Sequence, residues 1–254
     1  MTGLLAVCLS CATLSVEGDF FSERRPANDP NATILILFNH GYSSWLATTY
    51  TPRFPPILRM AAEQNADIVL FSQVRNAAFL TRTDHRRYIE AAIEFFQRTY
   101  KIPPEHIILA GQSCGGWGAL QTAAWTYPRI GGVIAFAPTC HGQVAQQSPW
   151  SETQHYQEMG ELARLLRVPA LIFLYEGDRH YRLADWKTFE ATAKQSPQLR
   201  VMELDREMVL KVCPRCRHDS HSAVYADGFA QAYYQPHVQA LIEVVRTSIH
   251  KREE

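Results

Sequence analysis

The chain has 254 residues, 46% of them apolar, enough to bury one substantial core, so a single α/β domain is expected. Lysine plus arginine balances aspartate plus glutamate at 25 each, with no basic stripe or acidic tail, which argues against nucleic acid as a partner. No run of about 18 apolar residues occurs, so no membrane-spanning segment is expected.

In chain order, residues 4–14 have the length of a secretory apolar region, but no lysine or arginine precedes them and no clean A-x-A site follows. Leu9-Ser10-Cys11 resembles part of a lipoprotein box, with Cys8 where an aliphatic residue belongs. Residues 1–20 are read as a leader, which implies export to a periplasmic, lipid-anchored or secreted location. The alternatives are a first strand or buried hairpin of a cytoplasmic protein. Residues 33–38 read as a buried strand ending at Asn39-His40-Gly41, residues 55–66 as a helix and 68–71 as a second strand. Residues 84–100 carry Tyr88, Ala91, Ala92 and Phe95 at helical spacing and are closed by Pro103 and Pro104. Residues 107–110 form a strand leading into Gly111-Gln112-Ser113-Cys114-Gly115, with a helix over 119–127. A strand at 133–137 precedes Pro138-Thr139-Cys140-His141, and a helix is expected over 158–166. The strand at 170–175 ends at Glu176-Gly177-Asp178. A last strand covers 199–204, and a helix runs from about 229 to 249.

Continuous apolar strands separated by helices indicate a doubly wound, mostly parallel sheet covered on both faces. Such sheets place their sites at the carboxyl ends of the strands. His40, Ser113, His141, Asp178 and the pair His218 and His221 all fall just beyond expected strand ends.

Gly111-x-Ser113-x-Gly115 therefore sits in strand–turn–helix context, where a serine hydroxyl is held out of the fold so that a base can take its proton. The residue after the serine, Cys114, is the expected first oxyanion donor. The loop after Gly41 is expected to supply the second, Tyr42 first and Ser43 next. Asp178 is the expected acid that orients the base, with Glu176 as its substitute. His221 is preferred as the base because Ser222-Ala223-Val224 leads into the closing helix, and His218 is the alternative. Cys213, Cys216, His218 and His221 also spell C-x2-C-x-H-x2-H. A single residue between the two pairs is too little for one zinc ion to gather all four, so no metal or other cofactor is expected. In an exported protein a disulfide drawn from Cys140, Cys213 and Cys216 is expected, with its pairing left open.

The ordered set His40-Gly41, Gly111-x-Ser113-x-Gly115-Gly116, Asp178 and His221 resembles the α/β-hydrolase fold over nearly all of residues 31–250. The double glycine is similar to the dienelactone hydrolase and prolyl-oligopeptidase-like branches. This resemblance implies an eight-stranded, mostly parallel sheet and a Ser-His-Asp acyl-transfer mechanism. The nucleophile is serine and not the cysteine of dienelactone hydrolase, so that enzyme's substrate is not implied.

Residues 138–169 are too few for a large lid domain, which points to an open site for short or medium acyl esters. His40, Gly41, Trp117 and His141 are candidate substrate-binding residues, with Tyr42 and Trp45 as further walls. The expected activity is hydrolysis of small-molecule carboxylic esters. The alternatives are a peptidase or acyltransferase on the same triad, or a non-catalytic hydrolase-fold binding protein. The oligomeric state is not legible.

Overall fold

The computed structural model describes residues 16–41, 53–74 and 82–253. Four strands make the centre because every residue in them is buried and all but the closing Asn39 and Gln112 are apolar or glycine. These are β2 (Ile34–Asn39), β4 (Ile107–Gln112), β5 (Gly132–Phe136) and β6 (Ala170–Tyr175). Runs buried on both faces are the signature of a parallel sheet under helices. β3 (Ile68–Val74) and β7 (Leu199–Leu204) extend the sheet to either side, and β1 (Glu17–Phe20) closes one edge antiparallel to β3. The order is β1-β3-β2-β4-β5-β6-β7, with every pairing except β1–β3 parallel. The described residues thus form seven strands where the resemblance implies eight.

β1 carries no apolar strand signal: its sequence, Glu-Gly-Asp-Phe, is polar and lies at an edge where only alternate residues are half-buried. Its Phe20 packs edge-on against Phe71 and Phe96. Of the leader expected over residues 1–20, residues 1–15 lie outside the described residues, and Glu17–Phe20 belong to the sheet. The folded domain therefore begins ahead of residue 31.

Two helical layers sandwich the sheet. One contains α2 (Arg82–Tyr100), α3 (Cys114–Trp125), α4 (Pro149–Leu165) and α5 (Lys187–Ala193), packed in that succession. The other contains α1 (Pro56–Gln64), α7 (Asp227–Tyr233) and α8 (Ala240–Glu253). A short α6 (Arg206–Val212) leads from β7 into the loop that carries His218 and His221. α4 begins at Pro149 and not at 158: Ser148 caps it by accepting from the Ser151 amide at 3.2 Å, and Pro149 takes the first helical position. The single helix expected over 229–249 is broken by Pro236. The ring removes a donor and clashes with the preceding turn, so the chain passes through a π-helical turn, Tyr234–Gln239, between α7 and α8. Between β5 and β6 only a short 3-10 turn and α4 intervene, so among the described residues no large lid covers the sheet. Among the described residues no helix is long and apolar enough to cross a membrane.

Candidate active site

Ser113 occupies the turn between β4 and α3 with φ 56° and ψ −127°, a conformation that non-glycine residues avoid. The turn is possible because Gly111 and Gly115, two positions to either side, lack side chains. A Cβ on Gly115 would lie 2.0 Å from the Asn39 carbonyl oxygen, and one on Gly111 would lie 2.3 Å from the Gly115 carbonyl carbon. Both obstacles are backbone, which cannot swing aside. The Ser113 amide donates to the Phe136 carbonyl at 3.0 Å, and the Trp117 amide donates back to the Ser113 carbonyl at 2.9 Å, so strand and helix hold the turn from both sides. α3 is buried around its whole circumference from Cys114 to Ala124. Its first-turn amides have no partner within the helix, and the positive end of its dipole lies beside Ser113.

The loop after α6 brings His221 over this turn. Its Nε2 is 2.8 Å from Ser113 Oγ and its Nδ1 is 2.7 Å from Asp178 Oδ2. The geometry sets the tautomer: Nδ1–H donates to the carboxylate, which leaves Nε2 to accept the serine proton. Asp178 follows β6, and its side chain is wholly enclosed. Burial alone would raise its pKa, but hydrogen bonds from His180 and His221, with the charge of His221, hold the carboxyl below the usual range. It is therefore ionised at neutral pH.

The loop carrying His221 is fastened at several points. Gln112 Nε2 donates to the His221 carbonyl at 3.0 Å, Ser220 Oγ donates to the Glu176 carbonyl at 2.8 Å, and the His221 amide donates to Asp219 Oδ1 at 3.0 Å. Arg206 also donates to the Arg217 carbonyl.

Of the residues singled out in the sequence, Ser113, Asp178 and His221 converge. His218 does not: it is exposed, and its carbonyl accepts from Arg179 Nε at 3.1 Å. Glu176 is also exposed and accepts from the Arg206 amide at 2.7 Å, facing the start of α6. Gly41 lies against the turn, since a Cβ there would meet Gln112 Oε1 at 2.4 Å and Ser113 Cβ at 2.9 Å. His40 is buried at the end of β2 with its Nδ1 2.5 Å from the Gly41 carbonyl. Tyr42, Ser43 and Trp45 lie outside the described residues.

Trp117 and His141 are not open walls of a cleft. Trp117 is 1% exposed and stacks on His155, with its Nε1 donating to Glu158 Oε2 at 3.0 Å. His141 is packed edge-on against Trp117, its Nδ1 3.0 Å from His155 Nδ1 and its Nε2 3.6 Å from Glu158 Oε2. Both belong to the contact between α3 and α4.

Two features go beyond the sequence expectations. Cys114 is joined to Cys140 in a disulfide, which ties the first residue of α3 to the loop after β5. Cys213 and Cys216 form the second, which takes both sulfurs out of the C-x2-C-x-H-x2-H pattern. The other feature is His180, which stacks on the His221 ring with centroids 4.0 Å apart. Its signal was present as Asp178-Arg179-His180, an acid with a histidine two residues on. Asp178, His180 and His221 offer metal-ligating atoms within 4.8 Å of one another. Hydrogen bonding within the group accounts for Asp178 and His221, whose facing atoms lie 2.7 Å apart. A groove of about 630 Å³ lined by Lys187, Lys194, Arg200, Glu203 and His237 lies at the β7 edge. β7 is three strands from β4, roughly 14 Å away at ordinary strand spacing, so that groove is not where Ser113 sits.

No family model matches the chain, and no curated protein matches it by sequence. Solved structures do match. Est1E from Butyrivibrio proteoclasticus, in a structure with ferulic acid bound, aligns over 94% of this chain and 96% of its own at 13% identity and a TM-score of 0.55. Esterase PE8 aligns over 76% of this chain and 90% of its own at 14% identity and a TM-score of 0.53. The propionate-bound thermophilic esterase Est2 from the Planctomycetes species Thermogutta terrifontis aligns over 77% and 79% at 15% identity and a TM-score of 0.51. With the sheet order and the flanking helices, these likenesses show the α/β-hydrolase fold.

Proposed function

We propose that the chain is a serine hydrolase of carboxylic esters that works through an acyl-enzyme. The observation that carries this reading is the unbroken relay from Ser113 Oγ to His221 to the enclosed Asp178 carboxylate, at 2.8 Å and 2.7 Å. A serine with an ordinary structural role needs neither the positive φ nor an imidazole aimed at its oxygen.

In the proposed reaction His221 Nε2 takes the Ser113 proton as Oγ attacks the ester carbonyl. The carbonyl oxygen becomes an oxyanion facing the start of α3, where the Cys114 amide donates to it. The loop after Gly41, at Tyr42, supplies the second donor. The imidazolium, stabilised by Asp178, then gives its proton to the departing alcohol. Water enters against the acyl-enzyme, His221 takes its proton, and the acid product leaves as Ser113 regains a hydrogen. Atoms balance without any metal or organic cofactor.

The short connection between β5 and β6 supports short or medium acyl groups, as do neighbours holding propionate and ferulic acid. Gly115-Gly116 supports a place in the dienelactone hydrolase and prolyl-oligopeptidase-like branches. Steady-state hydrolysis of aryl esters of two to eight carbons tests the proposal, set beside the matching anilides and repeated with added acceptor alcohols. Ester cleavage with a burst of about one phenol per enzyme supports an acyl-enzyme. Preferential anilide cleavage would make the protein a peptidase, and transfer to alcohol in place of water would make it an acyltransferase.

A further inference from the structure

We propose that His180 is a positioning residue for the reaction, holding the acid and the base of the relay together from one ring; this rests on the hydrolase reading above. Three contacts converge on it. Its backbone amide donates to Asp178 Oδ1 at 2.7 Å. Its ring Nδ1 is buried and faces the same oxygen at 3.4 Å. Its ring lies over that of His221, with centroids 4.0 Å apart and planes inclined by 30°.

The two carboxylate oxygens of Asp178 are thereby divided between two histidines, Oδ2 serving His221 and Oδ1 serving His180. At 3.4 Å the ring contact is at the long limit of hydrogen bonding, so the amide supplies the strong bond to Oδ1. The ring does something the amide cannot. It covers one face of His221, keeps water from that side, and leaves the base only its in-plane freedom. During turnover His221 becomes a cation, and the face of the His180 ring lies against it at 4.0 Å.

The other groups around it fit this placement. From the loop after β5, Thr139 Oγ1 donates to the His180 carbonyl at 3.4 Å and Gln147 Nε2 at 3.5 Å. Arg179 beside it is turned to the His218 carbonyl, so that guanidinium is engaged away from His221. His180 therefore links three strand ends: β5 through Thr139, β6 through Asp178, and β7 and α6 through His221. The same turn of chain that supplies the acid also braces the base.

Substitution removes the ring and spares the backbone amide, which isolates the ring's contribution. In H180A, kcat for a short aryl ester and the rate of labelling by a fluorophosphonate both fall about tenfold, while KM stays within about twofold. H180F, which restores a flat face without a nitrogen, recovers most of the rate. H180Q, which restores a donor without a face, does not. The low-field proton resonance of His221 Nδ1–H moves upfield in H180A and returns toward its original place in H180F. H180F and H180Q decide the matter if H180A does not fold. Equal rates and an unmoved resonance across the variants would overturn the positioning role. Absence of labelling on the unaltered protein would instead overturn the hydrolase reading, and the resonance, which needs no turnover, would still decide the role of His180.

Discussion

Replacing Asp178 by asparagine separates charge and tautomer from shape. In the native site the His180 amide donates to Oδ1 at 2.7 Å, so in D178N that position is taken by the amide oxygen. The NH2 group is then forced to the Oδ2 position, 2.7 Å from His221 Nδ1. Two donors cannot face each other there, so Nδ1 becomes an acceptor and the ring proton moves to Nε2. Nε2 sits 2.8 Å from Ser113 Oγ and can no longer accept its proton. The variant keeps the native packing but holds the base in the wrong tautomer. The expected loss in kcat is about 10³- to 10⁴-fold, or about 4–5.5 kcal/mol of transition-state stabilisation. Initial rates on a short aryl ester measure it, with near-ultraviolet circular dichroism confirming a native fold. A folded D178N within tenfold of the unaltered rate would refute the assignment of acid and tautomer.

The same carboxylate makes stability depend on pH in a fixed direction. Because its folded pKa is lowered from 3.8, its contribution is full above that value and is lost as pH falls through the lower folded value. Melting temperatures of D178N and the unaltered protein should therefore draw together below about pH 3.8 and not above it, which acid titration of Tm checks. Reduction of Cys114–Cys140, or the pair C114S and C140S, should cost roughly 3.5 kcal/mol from a sequence separation of 26 residues, read by urea unfolding with and without reductant. G115A should fail to give soluble protein or should unfold far earlier, since its methyl would stand 2.0 Å from the Asn39 oxygen; a native melting curve would contradict the elbow geometry. G160A should do the opposite. Gly160 is exposed in the middle of α4 with nothing within 4 Å of an added Cβ, so alanine should stabilise by about 0.5–1 kcal/mol, a rise of roughly 1–4 °C in Tm.

Where the sequence was legible, a single physical cause had left a local trace. β2, β4, β5 and β6 are buried on both faces, so each appears as an apolar run, closed by Asn39 in β2 and Gln112 in β4, and the strand expected over 199–204 coincides with β7. Ser113 was visible because the elbow needs glycines at fixed offsets. Asp178 and His221, both expected just beyond strand ends, lie within hydrogen-bond distance of each other, and His221 of Ser113. Short, capped and edge elements left no such trace. β1 is polar, and α5 and α6 are only seven residues each, although Asp205, accepting from the Met208 amide at 2.8 Å, was a readable cap for α6. Contacts between distant segments were hidden altogether. Nothing in the spacing pairs Cys114 with Cys140 or lays His180 on His221. Trp117 and His141 drew attention as aromatic residues close to the elbow, but their places are set by Glu158 and His155 from α4, far along the chain.

The most direct test of the central claim is intact-mass labelling with a fluorophosphonate, followed by peptide mapping. The account predicts one adduct per chain, on Ser113, absent in S113A and slowed by orders of magnitude in H221A while H218A labels at the native rate. A folded protein that takes no adduct, or one whose adduct survives in S113A, would contradict it.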